Sequence, residues 1–461
     1  MVKKKVLVIG LDCAAPQLVF DQWNEDLPNL RRLMAAGVYG ELESTIPPIT
    51  CPAWMSMMTS KDPGQLGVYG FRNRKDYSYH SYQLTTSHSF AEPAVWDILS
   101  QQGRRVILLS VPPSFPPKPI NGDLVTCFMT PGDHLSYTHP PSLKREVEQL
   151  VGRYQFDVDN FRSEDKQAIL TQLYQMAEKR FTLLRHLMRT RDWDFAMMVE
   201  IGVDRLHHGF WKYFDPTHRK YQPGSPLEGV GKDYYIYLDQ QIGETLSLID
   251  EQTTVFIVSD HGAKKLDGAI CINQWLIGEG YLKLKKNPTG VMPLEKADVD
   301  WEHTLAWGEG GYHANIYLNV RGREPHGVVE PNAYEQVRDE LTRRLQALTD
   351  EQGRRIGARV FKPQEIYQQC RGIAPDLIVY LGDLLWRSVG SVGHPSIWIL
   401  DDSAGPDDAN HAQHGIFIMS PCSPPVGRRL DGLHLMDCAP TILHQLGVPV
   451  PSDMRGRIIG G

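Results

Sequence analysis

The stretch Val6-Leu7-Val8-Ile9-Gly10-Leu11-Asp12 decides how the chain is read. Its apolar run is continuous and does not alternate, which is the pattern of a strand buried on both faces of a sheet. Asp12 falls just past the end of that run, where open α/β sheets place their ligands. Comparable runs recur at 106–109, 195–199, 254–258 and 415–419, and segments of helical spacing lie at 27–36, 94–102 and 234–249. Alternation of this kind predicts the α/β class. The expected architecture is a three-layer α/β/α sandwich around a mostly parallel sheet, with inserted cap elements.

Length and charge narrow the class. A chain of 461 residues could hold about three domains, but one large α/β unit with insertions fits equally well. We expect a single catalytic domain over 1–461, with a cap or lid insertion at 111–190 and a second, irregular insertion at 263–410. The formal net charge is −7 and no long basic run appears, which argues against a dedicated nucleic-acid surface. Seven scattered cysteines without a CxxC pair predict free thiols and a reducing, cytoplasmic setting. The basic start, Met1 to Lys5, resembles that of a signal peptide, but the apolar run behind it meets Asp12 too soon. No apolar stretch approaches the ~18 residues of a membrane helix.

A second stretch carries the chemistry. In Ile46-Pro47-Pro48-Ile49-Thr50-Cys51-Pro52-Ala53-Trp54, two prolines hold an extended approach, and Pro52 suits the first turn of the helix that follows. Thr50 therefore stands at a helix N-terminus, where free N–H groups and the dipole attract an anion. Its hydroxyl is either an ordinary helix cap or a nucleophile aimed at a phosphate.

Other polar residues follow the remaining strands: Asp204 with His208, Asp260 with His261, and His414 ahead of 415–419. Asp204 and His208 are four apart, so on a helix they share one face. Asp260 and His261 can both reach one ion only if the chain turns there, which Gly262 permits. Carboxylates and imidazoles suit Zn²⁺, with Mn²⁺ as a competitor. Spacing alone does not choose between His207 and His208, or between His411 and His414.

The motifs Gly10-Leu11-Asp12, Pro48-Ile49-Thr50-Cys51-Pro52, Asp204-Arg205-Leu206-His207-His208, Ser259-Asp260-His261-Gly262 and His414-Gly415 together resemble the alkaline phosphatase superfamily, in its nucleotide pyrophosphatase/phosphodiesterase branch. The resemblance implies two divalent metal ions, zinc first and manganese as the alternative. One would be held by Asp12, Thr50, Asp260 and His261, the other by Asp204, His208 and His414. It implies hydrolysis of a small, nucleotide-like phosphodiester or pyrophosphate, with Thr50 attacking phosphorus and becoming phosphorylated. Metal coordination is a recognised way to activate a hydroxyl. The branch places an Asn about twenty residues past the nucleophile; here that count reaches Phe71, so Arg72 and Asn73 are the candidate phosphate contacts. A phosphomonoesterase or phosphomutase of the same superfamily is the alternative, and a catalytically silent metal-dependent binder the alternative from another class. A sulfatase is set aside, because no Arg follows Cys51-Pro52.

Overall fold

The computed structural model describes residues 4–420 and 427–460. Met1 to Lys3 of the basic start and Cys422 lie outside the described residues.

A ten-stranded sheet organises the chain. At its centre the strands Thr253–Val258, Lys5–Leu11, Phe195–Glu200, Val106–Leu109 and Gly122–Val125 run parallel, in that spatial order. His414–Ser420 is antiparallel to both Thr253–Val258 and Val38–Glu43, and Thr138–His139 closes the opposite edge. Successive side chains of the first strand enter opposite cores, Leu7 and Ile9 on one side and Val6 and Val8 on the other. That is why the run had to be apolar throughout. One face is covered by Pro28–Ala36, Lys166–Thr190, Gly202–Phe214 and Val230–Leu246, and the other by Thr50–Thr59, Val95–Gln101 and Cys438–Gln445. The result is the expected three-layer sandwich.

Residues 111–190 do not form a cap. Gly122–Val125 and Thr138–His139 are strands of the main sheet. Ile169, Leu173, Ala177, Phe181 and Leu184 give Lys166–Thr190 an apolar stripe that packs into the core on one face of the sheet. Charge on its outer side made a core helix resemble a surface one. Residues 263–410 hold a second group of elements. It has its own antiparallel sheet (Ala306–Glu309, Ala314–Leu318, Leu377–Tyr380 and Arg359–Phe361) and its own apolar cluster. It joins the main sheet through the two-stranded ribbon Gly262–Lys265 and Ala409–Ala412, in which Ala263 lies opposite His411.

No described helix is long and apolar enough to cross a membrane. The six described cysteines are unpaired.

Candidate active site

Three strand ends meet at one edge of the sheet. Gly10 is level with Val199 and Val258, and Leu11 with Glu200, so Asp12, Asp260 and the start of the helix Gly202–Phe214 emerge together. That helix packs on one face of the sheet and delivers Asp204 and His208. The helix Thr50–Thr59 packs on the other face and delivers Thr50.

Nε2 of His261 is the focus of one group. It lies 3.2 Å from Oδ2 of Asp260, 3.7 Å from Oδ1 of Asp12 and 3.5 Å from Oγ1 of Thr50. Oδ1 of Asp204 is the focus of a second, 3.3 Å from Nε2 of His208 and 3.6 Å from Nε2 of His411. Ligand atoms of a tetrahedral zinc at 2.0–2.1 Å stand roughly 3.3 Å apart; the ligand atoms of Asp12, Asp260 and His261, and those of Asp204, His261 and His411, all lie within 4.8 Å of one another, with His208 beside Asp204. Asp12 Oδ1, Asp260 Oδ2, His208 Nε2 and His411 Nε2 are buried without a hydrogen-bond partner among the described residues. Buried polar atoms left bare in this way need a partner, and a divalent cation supplies one to all four.

The other atom of each ligand is tied down. Trp54 Nε1 donates to Asp12 Oδ2 at 2.8 Å, and the Cys13 N–H donates to Asp260 Oδ1 at 3.3 Å. Arg205 Nη1 donates to Asp204 Oδ2 at 2.6 Å. Nδ1 of His208 meets Asp407 Oδ1 at 2.7 Å, that of His411 the Pro48 carbonyl at 2.7 Å, and that of His261 the Gly262 carbonyl at 3.1 Å. Carboxylate and carbonyl oxygens only accept, so each Nδ1 carries a proton and Nε2 is the atom that can ligate once it is deprotonated. Gly10 is needed here, since a Cβ on it would stand 2.4 Å from the Trp54 ring that holds Asp12. Cys13 takes a left-handed backbone, φ 67°, to bring its N–H to Asp260. Strain at a non-glycine residue of this kind is characteristic of functional sites.

Electrostatics points to the same cation. Burial, with repulsion from Asp204, pushes Asp12 well above the usual carboxylate range, and burial with repulsion from Asp12 does the same to Asp260. Burial alone would lower His208, but Asp407 and Asp204 outweigh it and raise the group to about 9. Burial and the neighbouring His411 push His261 well down.

Thr50 is the first residue of its helix, after Ile49 at the N-cap, and no side-chain cap bond forms there. Its hydroxyl faces His261.

The structure brings together Asp12, Thr50, Asp204, His208, Asp260 and His261. It does not bring in His414. That residue is exposed, paired opposite Glu43, and lines a shallow groove with Glu41 and Asp431. His411 takes the position expected of His414. The two are three residues apart, an odd offset that places extended side chains on opposite faces. His207, the rival of His208, is buried on the far side of its helix, with Nε2 3.2 Å from the Tyr235 hydroxyl. Neither expected phosphate contact faces the ligand groups through a contact. Asn73 holds a turn, its Oδ1 accepting from the Tyr69 N–H at 2.7 Å and its Nδ2 donating to Thr85 Oγ1 at 2.9 Å. Arg72 is exposed, over the Tyr82 ring.

Sequence reasoning missed Asp407, Trp54 and Tyr312. The Tyr312 ring, from the inserted body, lies 4.9 Å from the His208 ring and 4.0 Å from the His411 ring. The pair Asp407-Asp408 ahead of His411 was the available signal for the first.

Residues 6–416 match the sequence pattern of type I phosphodiesterases / nucleotide pyrophosphatases. The chain belongs to the type I phosphodiesterase / nucleotide pyrophosphatase family. Phosphoester hydrolysis is therefore its chemistry. No curated protein matches it by sequence. Among solved structures it is similar to murine ectonucleotide pyrophosphatase / phosphodiesterase 5, in an inactive form in complex with AMP, at 13% identity and a TM-score of 0.55, covering 97% of this chain and 96% of that one. It is also similar to phosphonoacetate hydrolase from Sinorhizobium meliloti 1021 in complex with phosphonoformate, at 16% identity and a TM-score of 0.62, with coverage of 97% and 96%. At such identities these likenesses speak for the fold alone.

Proposed function

We propose that this family member hydrolyses a small, nucleotide-like phosphodiester or pyrophosphate through a phosphorylated Thr50. The observation that carries the reading is the Thr50 hydroxyl. It begins a helix without capping it, and it stands 3.5 Å from His261 Nε2 beside four bare ligand atoms. Asp12, Thr50, Asp260 and His261 would hold one divalent ion, and Asp204, His208 and His411 a second, with zinc the first choice and manganese the alternative. Bound there, such ions would neutralise charge on the phosphoryl group and activate a hydroxyl.

The chain's own residues do the rest. The first N–H groups of the helix Thr50–Thr59 face the phosphoryl oxygens with the positive end of the dipole. Thr50 Oγ1 gives up its proton and forms a bond to phosphorus as the ester P–O bond breaks, and the departing oxygen takes up one proton in exchange. Water then cleaves the Oγ–P bond, releasing a phosphomonoester and restoring the hydroxyl. Trp54, Arg205, Asp407 and the Pro48 carbonyl hold the ligating groups in place throughout. The unpaired cysteines support the cytoplasmic setting expected from the sequence.

The test is hydrolysis of bis-p-nitrophenyl phosphate beside p-nitrophenyl phosphate by metal-loaded wild type and Thr50→Ala. Diester preference that vanishes in the variant is the expected result. Monoester preference would move the reading to a phosphatase or mutase, and turnover retained in Thr50→Ala would remove the covalent intermediate.

A further inference from the structure

Beside the Asp204 side of the site lies a cleft of about 400 Å³, lined in part by Phe128, Gln155, Asp157, Asp159, Gln172 and Gln175. One guanidinium separates it from the ligand groups. Arg205 donates to both oxygens of Asp157 at 2.8 Å and, from its other side, to Asp204 at 2.6 Å. The same guanidinium lies 5.2 Å from the Phe128 ring, and Met129, next in sequence, touches Cys51 beside the nucleophile. The cleft therefore borders both the Asp204 side of the centre and the start of the nucleophile helix. Its volume is that of a small-molecule site.

We infer that this cleft receives the leaving group of the substrate, and that this group is uncharged and rich in hydroxyls, a sugar or polyol. The inference rests on the phosphodiesterase reading of the Thr50 site. Hydroxyls both donate and accept. Asp157 is held by Arg205, Gln155 Nε2 donates to the Gln172 carbonyl at 3.3 Å and Gln172 Oε1 accepts from the Asp159 N–H at 2.9 Å, so Gln155 Oε1, Gln172 Nε2, the Gln175 amide and the Asp159 carboxylate answer both needs. A second phosphate or a carboxylate would meet those aspartates. The cations on the wall are already engaged, Arg153 with Asp133 at 2.8 Å and Lys179 with the Arg153 carbonyl at 2.8 Å. A nucleobase wants flat faces, yet only Phe128 offers one, since Tyr154 and Phe156 are buried in the core beneath. A half-buried Phe128 ring suits the C–H face of a sugar.

Two readouts test this on the metal-loaded full chain. The first is saturation-transfer NMR with glucose, myo-inositol and glycerol as probes, on wild type and on Gln175→Trp, which fills the cleft from an exposed helix position. The second is kcat/KM for glucose-, inositol- and glycerol-bearing phosphodiesters, each as a ratio to bis-p-nitrophenyl phosphate. We expect transfer to at least one probe, lost in Gln175→Trp, and a fall of about tenfold in the matching ratio in both Gln175→Trp and Gln172→Leu. The probe that responds identifies the source of the hydroxyls. No transfer to any probe, or ratios unchanged in both variants, overturns the inference. Transfer lost on substitution in a protein that hydrolyses no diester would retain the cleft and reject the phosphodiesterase reading instead.

Discussion

The imidazole of His411 lies face to face with that of His261, ring centroids 3.8 Å apart and planes 17° from parallel. The two rings belong to the two groups of ligating atoms, so the groups abut. His411→Ala should lower bound metal from two ions to one and cut kcat/KM by more than about a hundredfold, beyond what residues that only orient a ligand cost. His414→Ala should leave both values close to wild type. Metal counting by plasma emission beside kinetics decides it, and the reverse ranking would reinstate His414.

Asp407 fixes the ring of His208 and is itself held by Arg162 at 3.0 Å. Asp407→Asn should weaken metal binding by about 10–100-fold while leaving the fold intact. Chelator competition measures the affinity and circular dichroism the fold. Wild-type affinity in the variant would show that the ring needs no such partner.

Without a cation, His208 is protonated up to a pH of about 9. Metal must displace that proton from Nε2, so below this pH the proton competes and above it competition ends. Apparent affinity should climb as pH rises from 6 toward 9, by up to about tenfold per unit for this one proton. Calorimetric titrations in buffers of different ionisation enthalpy should register proton release over the same window. A flat profile with no release would place the ion elsewhere.

Arg180 and Glu200 form an ion pair with both side chains fully buried, their atoms 3.1 Å apart. Arg180→Met leaves a carboxylate buried and unpaired, which costs about 3–5 kcal/mol. The double variant Arg180→Met/Glu200→Gln should recover part of that loss. Urea denaturation reads both, and a double variant no more stable than the single one would mean that the arginine acts through its bond to the Phe156 carbonyl.

Gly10→Ala places a methyl group where the Trp54 ring lies. The ring must shift, and its bond to Asp12 goes with it. We expect both lower thermal stability and weaker metal binding. Trp54→Phe, which removes the N–H donor and part of a fully buried ring, should weaken metal binding and lower thermal stability as well.

What sequence could show was governed by how far each signal reaches along the chain. Val106–Leu109 and Thr253–Val258 were legible because a strand buried on both faces must be apolar throughout. Asp12, Asp204, Asp260 and His261 could be placed together because parallel strands bring their ends to one edge whatever separates them in sequence, whereas His208 was preferred to His207 only through the family resemblance. His411 was not, because its direction depends on the register of an antiparallel ribbon whose partner lies far back in the chain. Lys166–Thr190 was misread for a related reason. Which surface the apolar stripe of that helix meets is a tertiary fact. Asn73 had the right chemistry for a phosphate contact and a turn to hold instead.

The ribbon Gly262–Lys265 and Ala409–Ala412 gives the inserted body a stalk, beside contacts such as that of the Tyr367 hydroxyl with the Ile46 carbonyl, with Asp260 and His261 just before one strand and His411 within the other. What lies beyond that stalk can lengthen, shorten or be exchanged without moving a ligand, provided the two strands still pair and Asp407 still holds His208. The chemistry is thus insulated from the scenery around it. Tyr312 and Asp407 are where the two meet, since Tyr312 reaches back from the body to the rings of His208 and His411 and Asp407 holds Nδ1 of His208. Relatives that keep the stalk and rebuild the body would inherit the same bond-breaking apparatus with a new wall facing it.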